Sequence, residues 1–342
     1  DLTYWEEDPE AAVKALNNCY TYLGNMDEQL YSEAMTDNAY TKQPNDFTQN
    51  IGNGSYSTAD SYVKQVWDGR YTGIRMCNQL LENIDRVPDL DPELKKRYIG
   101  EAKVLRAYNY YELYTKFGDV PYTTKVLSIK ESMSIARTAK ATVIANILAD
   151  LDEVINGNYL PTSYDADNKG RITRWAAMAI KAKIYLFEGN WTQVKNITST
   201  IMTEGGFKLF GSYAGLFEIA NEYNSEVILD AQYRPTSREH QMMYVFLPPT
   251  LGGYSQLSPL QELVDSYIML DGKTIKETGT SFDESHPYAN RDPRLKATVM
   301  YTGNSYTLAD GTEVVINCEK GEGKDGYGVG SDCSATGYYI KK

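Results

Sequence analysis

Apolar residues recur every three or four positions between Ser61 and Pro121, which is the pattern of amphipathic helices. Pro88 and Asp91 interrupt this pattern, because proline ends one helix and an acidic residue favours the start of the next. The stretch therefore predicts a helical hairpin whose second helix ends at Gly118. We expect four of its residues to share one buried core: Trp67, Ile74, Leu105 and Tyr108.

The same periodicity predicts further helices over about 8–24, 138–155, 173–189 and 191–202. After Glu204 the sequence pattern changes, because Gly, Pro and Tyr recur and separate shorter segments. Two of these segments, residues 226–233 and 242–249, are predicted to be strands or extended pieces. The chain therefore reads as a helical part, about 1–204, followed by a loop-rich part, about 205–342.

The segment from Tyr31 to Asp60 is predicted to be an irregular loop, because Asn, Thr, Ser, Gly, Gln and Tyr dominate it. Its amide and carboxylate groups match the donors and acceptors of vicinal sugar hydroxyls. Both a sugar-binding rim and a solvated loop fit this composition. The candidate residues are Asp37, Asn38, Tyr40, Asn45, Asn50, Asn53 and Tyr56.

Several motifs occur in an order that closely resembles the SusD/RagB family of nutrient-binding outer-membrane lipoproteins. No single motif is decisive, but the ordered set spans nearly the whole chain. The motifs are W-x-x-x-x-x-x-A-x-x-A-L-x-x-x-Y (5–20, with Val13 and Asn17 as departures), W-x-x-x-Y-x-x-I-x-x-x-N (67–78), G-E-A-K-V-L-R-A (100–107), F-G-D-V-P (117–121), K-G-R-I-T (169–173) and N-R-D-P-R-L (290–295).

The resemblance implies a mainly α fold, in which tetratricopeptide-like helix pairs carry an irregular loop-rich ligand-binding face with few short strands. It implies one SusD-like domain over residues 1–342. It also implies a surface lipoprotein, on the extracellular face of the outer membrane, that binds an oligosaccharide or polysaccharide and delivers it to a SusC-like TonB-dependent transporter. The resemblance further implies that a signal peptide and a lipid-bearing cysteine lie upstream of Asp1, and that further helices follow Lys342.

A net charge of -12 argues against nucleic acid as a partner, because phosphates are bound through clustered Lys and Arg. His240 and His286 are the two histidines, and neither lies in a recognisable catalytic or metal motif. The cluster from Arg291 to Arg294 is interpreted as a structural salt-bridge and turn element. We therefore expect no catalysis, no cofactor and no metal.

Residues 165–176 resemble a calcium loop faintly, but Ala176 stands where a bidentate Glu is required. A glycine turn followed by Thr173 as a helix cap is the favoured interpretation. Cys19 and Cys77 are interpreted as small buried apolar residues. Cys318 and Cys333 lie in a Gly- and Asp-rich segment, where a disulfide and free thiols are both open.

Tyrosine is the strongest compositional signal, with 29 Tyr against 8 Phe. Tyr joins an apolar face to a hydrogen-bonding tip, so it suits surfaces that bind polar ligands. The predicted glycan site is formed by Asp37, Asn38, Tyr40, Tyr56, Tyr233, Arg238, Tyr244 and Tyr254. Two alternatives stay open: a peptide-binding protein of the RagB type and a glycan-cleaving enzyme with two carboxylates.

Overall fold

The structure, a computed structural model, describes residues 3–24, 26–42 and 47–341. Helices dominate this part of the chain, and its strands are short, so the predicted mainly α fold is confirmed. The helices are α1 (Tyr4–Glu7), α2 (Ala11–Tyr20), α3 (Met26–Ser32), α4 (Phe47–Gly52), α5 (Ser61–Asn83), α6 (Pro92–Phe117), α7 (Ile129–Ser132), α8 (Lys140–Asn156), α9 (Arg174–Phe187), α10 (Trp191–Glu204), α11 (Met242–Phe246), α12 (Gln261–Ser266) and α13 (Pro293–Thr298). The strands are β1 (Ala39–Thr41), β2 (Leu257–Pro259), β3 (Val299–Met300), β4 (Ser305–Thr307), β5 (Glu313–Val315) and β6 (Tyr339–Ile340).

The chain forms two compact units, and each is described by itself. The helical unit comprises Asp1–Asn25, Val63–Leu209 and Ser225–Gln232. The loop-rich unit comprises Met26–Tyr62, Phe210–Asn224 and Tyr233–Lys342. The prediction of one SusD-like domain stays a prediction.

Helices α5 and α6 form the predicted hairpin of the helical unit. Asp91 caps α6, because its carboxylate accepts hydrogen bonds from the backbone N–H groups of Glu93 and Leu94 at 3.0 and 2.9 Å. Pro92 occupies the first turn, where its missing N–H costs nothing. Gly118, at φ 69°, ends the helix.

The four residues expected to share the hairpin core all belong to one apolar cluster. Ile74 and Leu105 are buried in it, and Trp67 and Tyr108 are partly buried and pack against it. The predicted common cluster is confirmed, with Ile74 and Leu105 inside it and Trp67 and Tyr108 at its edge. The cluster also takes in buried residues of α2, α8, α9 and α10, among them Leu16, Ile147, Leu151, Ile184 and Ile201.

The sequence motifs of the helical unit meet each other in space. The Arg106 guanidinium donates to Asn78 Oδ1 at 2.9 Å and to Asp150 Oδ2 at 2.6 Å. The Trp67 and Phe117 rings pack edge to face, with centroids 5.1 Å apart. Each contact joins residues far apart in sequence, so the motif residues hold the helices in place.

Glu101 is a fully buried carboxylate at the centre of a second such network. Arg97 and Arg171 form ion pairs with it at 3.2 and 3.3 Å, and the Tyr20 hydroxyl donates to it at 2.5 Å. Burial raises the pKa of Glu101, and the tyrosine and the two guanidinium groups oppose that rise. The network ties α2 and α6 to the segment before α9.

The faint calcium loop is a turn, as favoured. The Asp165 carboxylate accepts from the Asn168 N–H at 3.0 Å and so caps a short 3-10 turn. Gly170 has φ 91°, and the Thr173 hydroxyl accepts from the Ala176 N–H at 3.3 Å at the start of α9. Both predicted features, the glycine turn and the threonine cap, are confirmed.

The loop-rich unit is built from short antiparallel ladders and small apolar clusters. In its described part, β1 pairs with β2, β3 with β6 and β4 with β5. The clusters centre on Phe246, on Tyr339 and on Val299. Ladders of two or three residues give little independent stability, so the unit depends on side chains that bind its backbone.

The segment from Tyr31 to Asp60 was predicted to be irregular, and this is wrong for its described part. It contains the end of α3, a 3-10 turn at Glu33–Met35, strand β1 and helix α4. Partners distant in sequence supply the order, because β1 pairs with β2 in the register Tyr40 to Ser258. Asn45 lies outside the described residues.

Residues 242–249 were predicted to be a strand or extended, but Met242–Phe246 form helix α11. Val245 and Phe246 are buried next to each other, whereas Met243 and Tyr244 are exposed. Such a grouping fits one helical turn on an apolar surface and not the alternation of a strand. Residues 226–233 lie outside any strand.

Candidate ligand-binding site

Two predicted site residues, Tyr244 and Tyr254, form an exposed aromatic pair in the loop-rich unit. Their ring planes differ by 22° and their centroids lie 5.9 Å apart. About half of each residue is exposed, 54% for Tyr244 and 47% for Tyr254. Two nearly parallel rings that face solvent make a platform for a flat apolar surface.

A tight turn between α11 and β2 holds the Tyr244–Tyr254 pair. The Tyr254 N–H donates to the Tyr244 carbonyl at 2.7 Å, and the Gly253 N–H donates to the Pro248 carbonyl at 3.1 Å. A Cβ on Gly253 would lie 1.9 Å from the Leu247 carbonyl oxygen, so only glycine fits there. The turn therefore sets the ring spacing through the backbone.

The buried carboxylate of Asp325 holds this turn at Thr250. Asp325 is 4% exposed, and its Oδ1 accepts from the Thr250 N–H at 2.8 Å. The Asp325 carbonyl in turn accepts from the Tyr339 hydroxyl at 2.6 Å. Since Tyr339 is fully buried, the turn is anchored in the apolar cluster around it.

Backbone hydrogen bonds connect the tyrosine pair to Tyr40. The Gln256 N–H donates to the Val245 carbonyl at 2.8 Å, and the Lys42 N–H donates to the Gln256 carbonyl at 3.3 Å. Tyr40 lies two residues earlier in β1, exposed between buried neighbours. Its ring therefore points to solvent from the strand that pairs with β2.

Tyr233 and Arg238 are also brought together, by a small hairpin. The backbone groups of Arg234 and Arg238 exchange hydrogen bonds of 2.9 and 3.1 Å. The Arg238 guanidinium then lies over the Tyr233 ring, 4.6 Å from its centroid. His240 packs edge to face on the same ring at 5.5 Å.

The other predicted residues lie at the surface of the same unit. Asp37 is exposed in the turn before β1. Asn38 donates to Glu33 Oε2 at 2.8 Å, and its carbonyl accepts from the Leu260 N–H at 2.9 Å, so it has a structural task. Tyr56 is exposed after α4. The assignment of the eight residues to one ligand site stays a prediction.

Sequence reasoning missed a second group of tyrosines. The Tyr288 and Tyr301 rings stack 3.8 Å apart at 18°, and the Tyr288 hydroxyl donates to the Tyr338 hydroxyl at 3.2 Å. Tyr338 donates onward to Gln261 at 2.7 Å. Burial raises the pKa of Tyr288. This half-buried group packs on the Val299 cluster and is structural, and its members are too far apart in sequence to signal their contact.

A cavity of about 280 Å³ opens in the helical unit, and it is a weaker candidate than the tyrosine pair. Trp5 is only 6% exposed, so its ring face is covered. The Lys14 ammonium group is already bound by Asp8 at 2.9 Å and Glu10 at 3.1 Å. The cavity is lined by Tyr4, Trp5, Lys14, Ala15, Asn18, Met76 and Gln79.

The remaining chemical candidates serve structure. Buried Arg291 donates to the carbonyls of Val264 and Tyr267 at 2.6 and 2.7 Å. Arg294 forms an ion pair with Asp292 at 2.5 Å, as predicted for that cluster, and Asp292 also caps α13. His286 pairs with Asp283 at 2.8 Å on the exposed surface. The described residues contain no cluster of acidic, His or Cys side chains that would hold a metal, and no helix among them has the length and apolar character to cross a bilayer.

All four cysteines carry free, buried thiols. The Cys333 thiol donates to the Lys324 carbonyl at 3.2 Å, and Cys318 packs in the cluster around Tyr339. The disulfide left open for Cys318 and Cys333 is therefore not formed in the structure. Cys19 and Cys77 are buried, as the sequence predicted.

Comparison with known families decides the relationship. A model described as "Starch-binding associating with outer membrane", SusD-like, matches residues 10–186, and the "SusD family" model matches residues 215–342. The chain belongs to the SusD family. Within that family, SusD-like protein P25 of Formosa agariphila is 28% identical over 253 residues, which cover 66% of this chain and 47% of that protein. The chain spans about half the length of the curated SusD-like relatives it matches.

Solved SusD-like structures have the same fold. A SusD-like carbohydrate binding protein from Bacteroides fragilis NCTC 9343 superposes with a TM-score of 0.88 at 24% identity, over 99% of this chain and 68% of that one. A second structure is named "Laminarin binding SusD-like protein". Its TM-score is 0.75 at 23% identity, over 96% of this chain and 71% of that one.

Proposed function

We propose that this SusD-family protein binds an oligosaccharide or polysaccharide at the cell surface, on the platform formed by Tyr244 and Tyr254. The near-parallel, half-exposed ring pair carries the proposal. A sugar ring has an apolar face of C–H groups, which gains from contact with an aromatic face. The family supports a carbohydrate as the ligand.

The hydroxyl rim of the sugar needs polar partners as well as a platform. Arg238 offers guanidinium donors beside the Tyr233 ring, and the exposed tyrosines offer their own hydroxyl groups. Tyr40 adds one more exposed ring from β1. We propose that at least one tyrosine and one polar residue of the predicted set contact the glycan.

We propose capture of the glycan without chemical change to it. The groups with the strongest resemblance to catalytic chemistry have structural partners: Arg291 binds backbone carbonyls, and His286 pairs with Asp283 at the surface. The ligand is then passed intact to a SusC-like TonB-dependent transporter. A lipid anchor would hold the protein on the extracellular face of the outer membrane, which fits the family description.

Calorimetry with purified protein tests the binding step. Laminarin is the first probe, because a protein of the same fold is named for binding it, and starch is the second, because the family model is described by it. A fructan and a mixed peptide pool complete the set. We expect saturable binding of at least one polysaccharide, and no new reducing ends after prolonged incubation.

Other outcomes lead elsewhere. Binding of peptides without any polysaccharide would favour a RagB-type peptide-binding protein. Release of reducing ends would favour a glycan-cleaving enzyme. The transporter step is tested separately, by purifying the lipidated protein from native membranes in mild detergent: recovery without a barrel partner would contradict delivery to a SusC-like transporter.

A further inference from the structure

Two free thiols are buried in the same apolar cluster of the helical unit. Cys19 lies near the end of α2 and Cys77 lies in the second half of α5. Both residues are 0% exposed, and both belong to the main apolar cluster of the helical unit. The Cys19 thiol also contacts the Ala15 carbonyl at 3.3 Å. Neither thiol has a role in the proposed binding of glycan.

The two helices approach closely at this point and run in opposite directions. A Cβ on Gly73 would lie 2.8 Å from Cβ of Tyr22, and Asn18 Nδ2 lies 3.1 Å from Met76 Sδ. Residue numbers therefore fall along α2 as they rise along α5. Asn18 and Met76 directly precede Cys19 and Cys77, whereas Gly73 lies four residues before Cys77 and Tyr22 lies three residues after Cys19. The register of these contacts therefore places Cys19 and Cys77 at the same level of the crossing between α2 and α5.

We propose that Cys19 and Cys77 form a disulfide that links α2 to α5 when the chain folds in an oxidising compartment. One thiolate attacks the disulfide of an oxidant, which can be a small dithio compound such as oxidised glutathione, and forms a mixed disulfide. The second thiolate then displaces the remaining oxidant thiol. Two protein thiols lose two protons and two electrons, and one oxidant disulfide becomes two thiols.

The bond must form before α2 packs against α5. In the folded reduced chain the thiols are closed off from an oxidant. The neighbouring Cys19 thiol, together with burial, raises the pKa of the Cys77 thiol well above its ordinary value, so little thiolate forms. We therefore expect the two thiols to be oxidised while the chain folds, and to resist oxidation once the reduced chain has folded. The cross-link stabilises the helical unit mainly by restricting the unfolded chain.

Refolding in the presence and absence of oxidised glutathione tests the proposal. The reduced chain is denatured and then refolded in each buffer. Its free thiols are labelled with a maleimide under denaturing conditions, and the number of labels is determined by mass spectrometry. We expect two labels fewer after oxidative refolding, a peptide pair joined through Cys19 and Cys77, and a melting midpoint raised by about 5 °C or more. The already folded reduced protein should keep all four labels in the same buffer.

Matched variants assign the bond. The double variant Cys318→Ser/Cys333→Ser should still lose two thiols, and Cys19→Ala should lose none through this pair. Four labels on the oxidatively refolded wild-type chain would overturn the proposal, and so would a peptide map that joins Cys318 to Cys333 instead. Since the map is made on the wild-type chain, the result holds even where a variant folds poorly, and it is independent of whether the protein binds a glycan.

Discussion

Each of the two units of this protein contains a buried guanidinium group, and the two groups find their hydrogen-bond partners in different ways. In the helical unit, buried Arg106 pairs with the carboxylate of Asp150 on another helix. In the loop-rich unit, buried Arg291 instead donates to the backbone carbonyls of Val264 and Tyr267. Both guanidinium groups are almost fully covered, so burial alone does not explain the difference.

The backbone around each guanidinium group explains why their partners differ. A helix satisfies most of its own N–H and C=O groups, so buried side chains are free to pair with one another. An irregular chain leaves backbone groups open, and side chains such as Asp325 and Ser334 must bind them. The lesson is that the guanidinium group of Arg106, packed between regular helices, pairs with other side chains, whereas that of Arg291, buried among irregular segments, binds the backbone carbonyls that those segments leave open.

The largest effect is expected from breaking a side-chain pair in the helical unit. Arg106→Ala leaves the carboxylate of Asp150 and the buried amide of Asn78 without their shared partner. The free energy of unfolding should fall by about 3 to 5 kcal/mol, measured by chemical denaturation. The exposed pair of Lys64 and Asp68 is the control, since Lys64→Ala should cost well under about 1 kcal/mol. Equal effects of the two variants would contradict the importance of the buried network.

The second largest effect is expected from a substitution in the apolar core of the helical unit. Leu105→Ala removes a fully buried side chain from the main cluster and should lower the free energy of unfolding by about 2 to 5 kcal/mol. Leu94→Ala on the same helix is the control, because Leu94 is 38% exposed and its truncation should change stability by about 0.5 kcal/mol or less. An unchanged melting temperature for Leu105→Ala would show that the α5–α6 hairpin does not form as described.

In the loop-rich unit, the sensitive position is a glycine and not a side-chain pair. Gly253→Ala puts a Cβ 1.9 Å from the Leu247 carbonyl oxygen, so the turn must shift at a cost of about 1 to 3 kcal/mol. Calorimetric denaturation measures that cost, and glycan affinity should fall too, because the turn places Tyr254. Gly211→Ala is the matched control, since its Cβ would meet nothing within 4 Å. Wild-type stability and affinity in Gly253→Ala would mean that the turn is pliable.

The difference between the units also decides what the sequence reveals. The helices of the helical unit could be predicted because apolar residues recur every three or four positions, and this pattern is visible in the local sequence. The pairing of β1 with β2 and the helix at Met242–Phe246 depend on partners distant in sequence, so they were missed. The eight candidate site residues could be proposed from residue type alone. The contact between Tyr244 and Tyr254 could not be predicted from the sequence, because it depends on a turn in which backbone atoms approach closely.

The smallest expected effect on stability, and the most informative about function, comes from the exposed rings. Tyr254→Ala and Tyr244→Ala each remove one half of the platform, which is exposed and contributes little to the core. For any glycan that the wild-type protein binds, we expect each variant to lose about 1 to 2 kcal/mol of binding free energy, or roughly tenfold in affinity or more, by calorimetry. The melting temperature should stay close to that of the wild-type protein.

Conservative variants separate the ring from its hydroxyl. Tyr254→Phe keeps the aromatic face, so it should retain most of the affinity if stacking on the sugar face dominates, and lose as much as Tyr254→Ala if the hydroxyl dominates. Trp191→Ala, which removes an exposed aromatic side chain of the helical unit, serves as the control and should bind as the wild-type protein does. If Tyr244→Ala and Tyr254→Ala both bind with wild-type affinity, the ring pair is not the platform. Tyr40→Ala and Tyr233→Ala then test whether the glycan instead binds the remaining predicted rings of the loop-rich unit.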